Sequence, residues 1–205
     1  MSSEARLLEC MCEGASNVLH SLLRTTHLAS VGTHVPMLWD ERVVPLCAAN
    51  APLASFLWDG SMPAHVVPSL TDISELVGTL VKRLRMHAVD VVVVMVLLET
   101  LWVKHGPVLQ LHSVRPVLLA ACFLARKLVQ DADTATLTCV AALEDLFTAL
   151  TPVLGARIEH QLLEYLDWRI PNDPAVYNRH TIALLQFGTP PNTLPPSVAN
   201  VPWMC

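Results

Sequence analysis

An all-α protein is predicted by three features of the sequence. The first is Pro116–Gln130, which between Val117 and Ala125 holds no charge and no strong hydrogen-bonding side chain. Leu118, Cys122, Ala125 and Val129 form one stripe of a helix there, and Leu119, Phe123 and Leu128 a second. A helix apolar on nearly every side has to be buried on nearly every side. The run is shorter than the roughly 20 apolar residues that a bilayer crossing needs, so it reads as the central helix of a bundle. The second feature is residues 4–27, where Leu7, Leu8, Met11, Ala15, Val18, Leu19, Leu22 and Leu23 recur at three- and four-residue spacing. The third is the series of helical patterns from Thr71 to Trp168, separated by start and stop signals.

Taken in order, the first helix spans 4–27, with Gly14 as an interior weak point. From His27 to Leu70 the chain is broken by Pro36, Pro45, Pro52, Pro63 and Pro68. It still holds Trp39, Phe56, Leu57 and Trp58, too much apolar matter for a disordered linker. It reads as an irregular arm over the bundle, with a short helix near 52–58. Thr71 or Asp72 caps the next helix, Glu75 lies at capping-box spacing from Asp72, and Ile73, Leu76, Val77, Leu80, Val81 and Leu84 form its apolar face. Lys82, Arg83 and Arg85 at its end suit the helix dipole.

Asp90 caps a helix over Val91–Lys104. Its four valines favour a strand, but the apolar run goes on through Met95, Leu97, Leu98, Leu101 and Trp102, longer than strands usually are. His105-Gly106-Pro107 stops it. Ser113 caps the central helix and Pro116 falls in its first turn, where proline is tolerated. The fourth of the helices from Thr71 onwards is expected over 134–150, with Leu137, Val140, Ala141, Leu143, Leu146, Phe147 and Leu150 inward. Thr151-Pro152 opens a fifth, running through Ile158, Leu162, Leu163 and Leu166 to about Trp168, and a last helix covers about 174–186. The tail after Gly188 holds Pro190, Pro191, Pro195, Pro196 and Pro202 and should be extended. The expected organisation is therefore 1–70 for the first helix and arm, 71–170 for five bundled helices, and 171–205 for the last helix and tail.

With 53% hydrophobic and 15% charged residues over 205 positions, the chain can fill a core and leave apolar surface over, which on a soluble protein marks a partner. A net charge of −5 without a basic stripe excludes the usual nucleic-acid footprint. No basic, apolar leader opens the sequence, and Cys205 stands last, outside a prenylation pattern. The cysteines are Cys10, Cys12, Cys47, Cys122, Cys139 and Cys205. None forms a C-x-x-C pair, which argues against a zinc or redox motif. Their scatter suits a reducing compartment, hence an intracellular protein of cytoplasm or nucleus. Cys122 and Cys139 fall on buried helix faces.

Two segments resemble the cyclin family. Leu118-Leu119-Ala120-Ala121-Cys122-Phe123-Leu124-Ala125-Arg126-Lys127-Leu128-Val129-Gln130-Asp131 is similar to the cyclin third helix, a leucine run with small residues, Ala-x-Lys, two apolar positions and an acidic end. Arg157-Ile158-Glu159-His160-Gln161-Leu162-Leu163-Glu164-Tyr165-Leu166-Asp167-Trp168-Arg169-Ile170 is similar to the fifth, in which Glu precedes an apolar pair and a Leu-Asp-aromatic ending. The resemblance covers about half of the chain and is greatest to the single-box cyclins of the phosphate-signalling type found in fungi and protists. It implies a five-helix cyclin box around the buried central helix, with an extra N-terminal helix and an irregular arm. There are departures. Arg115-Pro116 stands for the family's His-Arg, Gln130-Asp131 for its acidic pair, and Glu99-Thr100 for its Asp-Arg. The residues of the family's intramolecular Arg–Asp pair are thus altered, with Arg83 and Glu99 as the candidate replacement.

The resemblance implies a regulator of the cell-cycle type that binds a cyclin-dependent protein kinase and does no chemistry itself. Lys127 and Glu159 would contact the kinase beside its mobile C-helix, with Phe123, Leu124, Leu162 and Leu163 as the apolar pocket around them. A cation and a carboxylate on adjacent helices can pair and still offer hydrogen bonds to a docked backbone. Pressing the kinase helix inward would complete the ion pair that positions ATP, a shift of the kinase's population. The competing reading is a helical scaffold or adaptor that keeps the box without activating a kinase. Taken alone, Lys127 only complements a helix C-terminus and Glu159 lies on a solvated face.

Other polar residues suggest no catalysis. Cys10, Cys12, His20 and His27 do not share a helical face, so neither a metal nor another cofactor is expected. His112 and His160 read as capping or surface positions, and Ser61, Ser69 and Ser113 lack a nucleophile-elbow context. Glu144 and Asp145 are adjacent and point apart.

Overall fold

A computed structural model describes residues 2–29, 35–46, 67–106, 108–130 and 135–189. All regular structure among them is helical: α1 (Ser3–Ala29), α2 (Leu70–Arg83), α3 (Ala88–His105), α4 (Val114–Gln130), α5 (Ala135–Leu143), α6 (Pro152–Tyr165) and α7 (Pro174–Gly188), with a 3-10 turn at Met37–Trp39. None of these helices is long and apolar enough to cross a membrane. The short helix near 52–58, the proline-rich tail, Cys47 and Cys205 lie outside the described residues.

The central helix is α4. Every residue from Val114 to Ala125 is buried, with α3, α5 and α6 packed around it. The last turn emerges, leaving Leu128 44% exposed. Ser113 precedes the helix, but its hydroxyl does not cap forwards. The third helical residue is Pro116, which has no N–H to donate. The Ser113 hydroxyl instead donates to the Val108 carbonyl at 2.6 Å and accepts from the Gln110 N–H at 2.8 Å.

The α2 cap sits earlier than the sequence predicts. Ser69 is the N-cap, and it exchanges bonds reciprocally with Asp72, in place of the Asp72–Glu75 spacing. Helix α3 likewise begins ahead of Asp90, whose carboxylate reaches back to the His87 N–H at 2.6 Å. Gly106 ends α3 at φ 71°, a left-handed turn that favours glycine.

Helix α5 is shorter than predicted. It ends at Leu143, whose carbonyl accepts from both Leu146 and Phe147 in a tightened turn. The next residues turn towards the arm, where Ala149 N–H donates to the Leu46 carbonyl at 3.1 Å. Leu146, Phe147 and Leu150 are still buried, whereas Leu137, expected inward, is 56% exposed, and Ala141 is exposed as well. Leu7, also expected inward, is 39% exposed.

Gly14 is not a weak point. Helices α1 and α7 approach so closely that a Cβ at Gly14 would run into the Leu184 carbonyl, and one at Gly188 into that of Cys10. Asn17 Nδ2 donates to the Phe187 carbonyl at 2.8 Å across the same seam. The first and last helices thereby pair with each other, and both also pack on α3. The described part of the arm, residues 35–46, packs against the bundle. Trp39 is fully buried, its indole N–H reaches the Ile158 carbonyl at 3.4 Å, and its ring lies 5.0 Å from that of Tyr165.

Candidate functional site

Three helices meet where α4 leaves the core. Lys127 lies in its last turn, one residue past Arg126, whose Nη1 donates to the Arg85 carbonyl at 3.2 Å. Glu159 comes from α6, and Lys127 Nζ lies 2.7 Å from its Oε1 and 2.9 Å from its Oε2. The hydroxyl of Thr136, on α5, donates to Oε2 at 2.6 Å. The Glu159 side chain is 5% exposed and that of Lys127 34%, so the carboxylate is buried and the lysine reaches it from a half-buried position.

The local sequence explains how a carboxylate comes to be buried here. Gly155 precedes Glu159 by four residues and shares its face of α6. A Cβ at Gly155 would lie 2.8 Å from Val140 Cγ2 and 3.4 Å from both Phe123 Cε2 and Thr136 Cγ2. The missing side chain lets α6 settle onto α5 and α4, which carries Glu159 beneath Lys127 and beside Thr136. Both oxygens then have donors, so the cost of burying the charge is met by hydrogen bonds. Lysine has three N–H donors. One is donated to Glu159 Oε2, Oε1 lies within ion-pair reach, and among the described residues Lys127 meets no other acceptor.

Of the residues predicted around this pair, Phe123 and Leu162 are fully buried in the core and Leu124 is 4% exposed. Leu163 is partly buried against the same core. All four therefore belong to the core, and none of them is exposed. Glu159, expected on a solvated face when read without the resemblance, is buried.

The expected Arg83–Glu99 replacement pair does not form. Arg83 Nη2 donates to Asp145 at 2.7 Å. Glu99 instead accepts from Arg179 Nη2 at 2.9 Å and lies 3.1 Å from His180 Nε2, both on α7. The His180 hydrogen bond, ahead of the other influences, holds the Glu99 carboxyl below the usual glutamate range. The pairing follows α7, which docks on α3 and brings its own cation.

A buried ion pair was not foreseen. Arg115 Nε donates to Glu41 Oε1 at 2.6 Å, and its Nη2 also reaches Glu41, with side chains 1% and 7% exposed. Burial pushes the Glu41 carboxyl above its ordinary range, against the pull of Arg115. The pair ties the arm to the first turn of α4. Beside it, Asp40 holds Arg42 through its carboxylate.

Cys122 and Cys139 are buried, as predicted. Burial raises both thiols, that of Cys139 to about 11, which keeps them protonated and unreactive. Among the described residues no three His, Cys, Asp or Glu side chains converge to hold a metal ion. His160 is a surface residue, 3.4 Å from Glu164 and edge-on to Trp168.

No family model, no curated protein and no solved structure matches this chain.

Proposed function

We propose that the chain is a regulatory subunit built on a cyclin box, and that it binds a cyclin-dependent protein kinase through the α4–α6 edge. The observation that carries this reading is the Lys127–Glu159 pair. The two residues that the family resemblance singles out, 32 positions apart, share a salt bridge on adjacent helices. The order of the helices around buried α4 supports the same reading. The Lys127 ammonium is the contacting group, offering a further N–H to a backbone carbonyl or carboxylate of the kinase, while Glu159 and Thr136 hold it in place.

A second reading is an adaptor that keeps the fold without activating a kinase. The burial of Phe123 and Leu162 favours it, because neither side chain is exposed to contact an anchor residue. One experiment separates the two. The chain is used to capture members of a panel of purified cyclin-dependent kinases, and captured kinases are assayed on a histone substrate. Capture with stimulated phosphorylation, both lost in Lys127→Glu, supports the regulatory reading. Capture without stimulation supports the adaptor, and absence of capture across the panel refutes the kinase partner.

A further inference from the structure

Gly78 is a glycine for which the fold supplies no reason. At Gly14, Gly188 and Gly155 a Cβ would strike a neighbour, and Gly106 has a positive φ, but around Gly78 nothing lies within 4 Å of the added atom. It stands inside α2, where glycine costs about 1 kcal/mol against alanine. Gly78 lines a groove between α1 and α2, with Leu8, Val81 and Met86 among its apolar lining. Glu9 and Glu13 line it on the α1 side, Lys82 and Arg85 on the α2 side. All four are exposed, and among the described residues none of them is in an ion pair.

The two helices run antiparallel. Glu4 near the start of α1 lies 3.5 Å from His87 just past α2, while Ala15 and Leu19 share a small cavity with Val77 and Leu80. The groove is therefore acidic along one wall and basic along the other, at matching heights. Such a surface complements itself. A two-fold axis parallel to the helices places the acidic wall of one copy over the basic wall of the other, twice. An axis perpendicular to the helices and lying along the plane of the pair would stack like charge on like.

We infer that this groove is a homodimer interface, in which α1 and α2 of one copy pack on α2 and α1 of a second as a four-helix layer. Glu9 and Glu13 of each copy face Lys82 and Arg85 of the other, and Gly78 lets the backbones close, as Gly14 and Gly188 do within one chain. The inference is independent of the kinase reading, because Lys127 is not among the residues that line the groove.

Sedimentation velocity over a concentration series tests it. The wild type should pass from a 22.5 kDa monomer to twice that mass. Glu9→Lys/Glu13→Lys makes both walls basic and Lys82→Glu/Arg85→Glu makes both acidic, so each variant alone should weaken dimerisation at least tenfold. An equimolar mixture of the two should restore the dimer. Gly78→Leu should also be monomeric, with a Tm not below that of wild type at concentrations where the wild type is a monomer, since the space it enters is empty. A wild type that stays monomeric throughout overturns the inference. So does a dimer that survives in either charge variant, a mixture that stays monomeric, or Gly78→Leu that dimerises like wild type.

Discussion

The same glycine-to-alanine change should have opposite signs at two places in this protein. In a helix interior the change gains about 1 kcal/mol from backbone propensity. At Gly78 nothing lies within 4 Å of the new methyl, so the whole gain is realised. With roughly 2–4 °C per kcal/mol for a chain of this size, Tm should rise by about 2–4 °C. At Gly14 the methyl meets the Leu184 carbonyl, which is backbone and cannot rotate aside. Overpacking of this kind costs about 1–3 kcal/mol. Separating the helices also strains the Asn17–Phe187 bond, worth about 1 kcal/mol. The costs exceed the propensity gain by about 2 kcal/mol, so Tm should fall by roughly 4–8 °C. Gly188→Ala should fall likewise, its methyl meeting the Cys10 carbonyl. Thermal unfolding followed by circular dichroism at low protein concentration, where association does not contribute, reads all three. A Gly14→Ala variant that unfolds at or above the wild-type temperature would refute the close α1–α7 seam.

Two further outcomes follow from the ion pairs. Arg115→Met strands Glu41 in the core and should cost about 3–5 kcal/mol by urea unfolding. Arg115→Met/Glu41→Leu should recover most of that loss, and a double variant no more stable than the single would count against a buried pair. For Glu99, the folded carboxyl titrates below its ordinary value of 4.5. Its contribution is therefore complete above about pH 4.5 and is lost as pH falls through the lower, folded value. Urea midpoints measured down an acid series should decline less steeply for Glu99→Gln than for wild type, and equal slopes would show that Glu99 is not the group responsible.

Most helices were legible because each has one dominant periodicity and local punctuation. The buried run Val117–Ala125 could be read from composition alone, and Thr151-Pro152 opens α6 as predicted. What escaped depends on contacts distant in sequence. Helix α5 stops at Leu143 because the following backbone bonds to Leu46 of the arm, and no pattern within 134–150 shows that. The Arg115–Glu41 pair spans 74 positions. Its only local sign is a cation in the first turn of an apolar helix.

The site shows the same division. Lys127 and Glu159 were named through a family resemblance, whereas Thr136 and Gly155 were not named at all. A threonine that follows a loop has many uses, and a glycine in a helix ordinarily reads as a weakness. Gly14 was read as such a weakness for the same reason. Each is explained only by the neighbouring helix, since helix approach distance is a property of two surfaces and not of one. Phe123 and Leu162 are the converse case: apolar residues beside a polar pair read equally well as interface or core, and in the fold both are buried.

Whether Lys127 faces a kinase is the central question. The most direct measurement is calorimetric titration of wild type, Lys127→Glu and a control on α1, the exposed Arg24→Glu, with a purified cyclin-dependent kinase. The account predicts micromolar or tighter binding by wild type and the control, and at least a tenfold loss in Lys127→Glu with an unchanged helical spectrum. Equal binding by all three would contradict the assignment of the site, and no binding by wild type to any kinase tested would contradict the function.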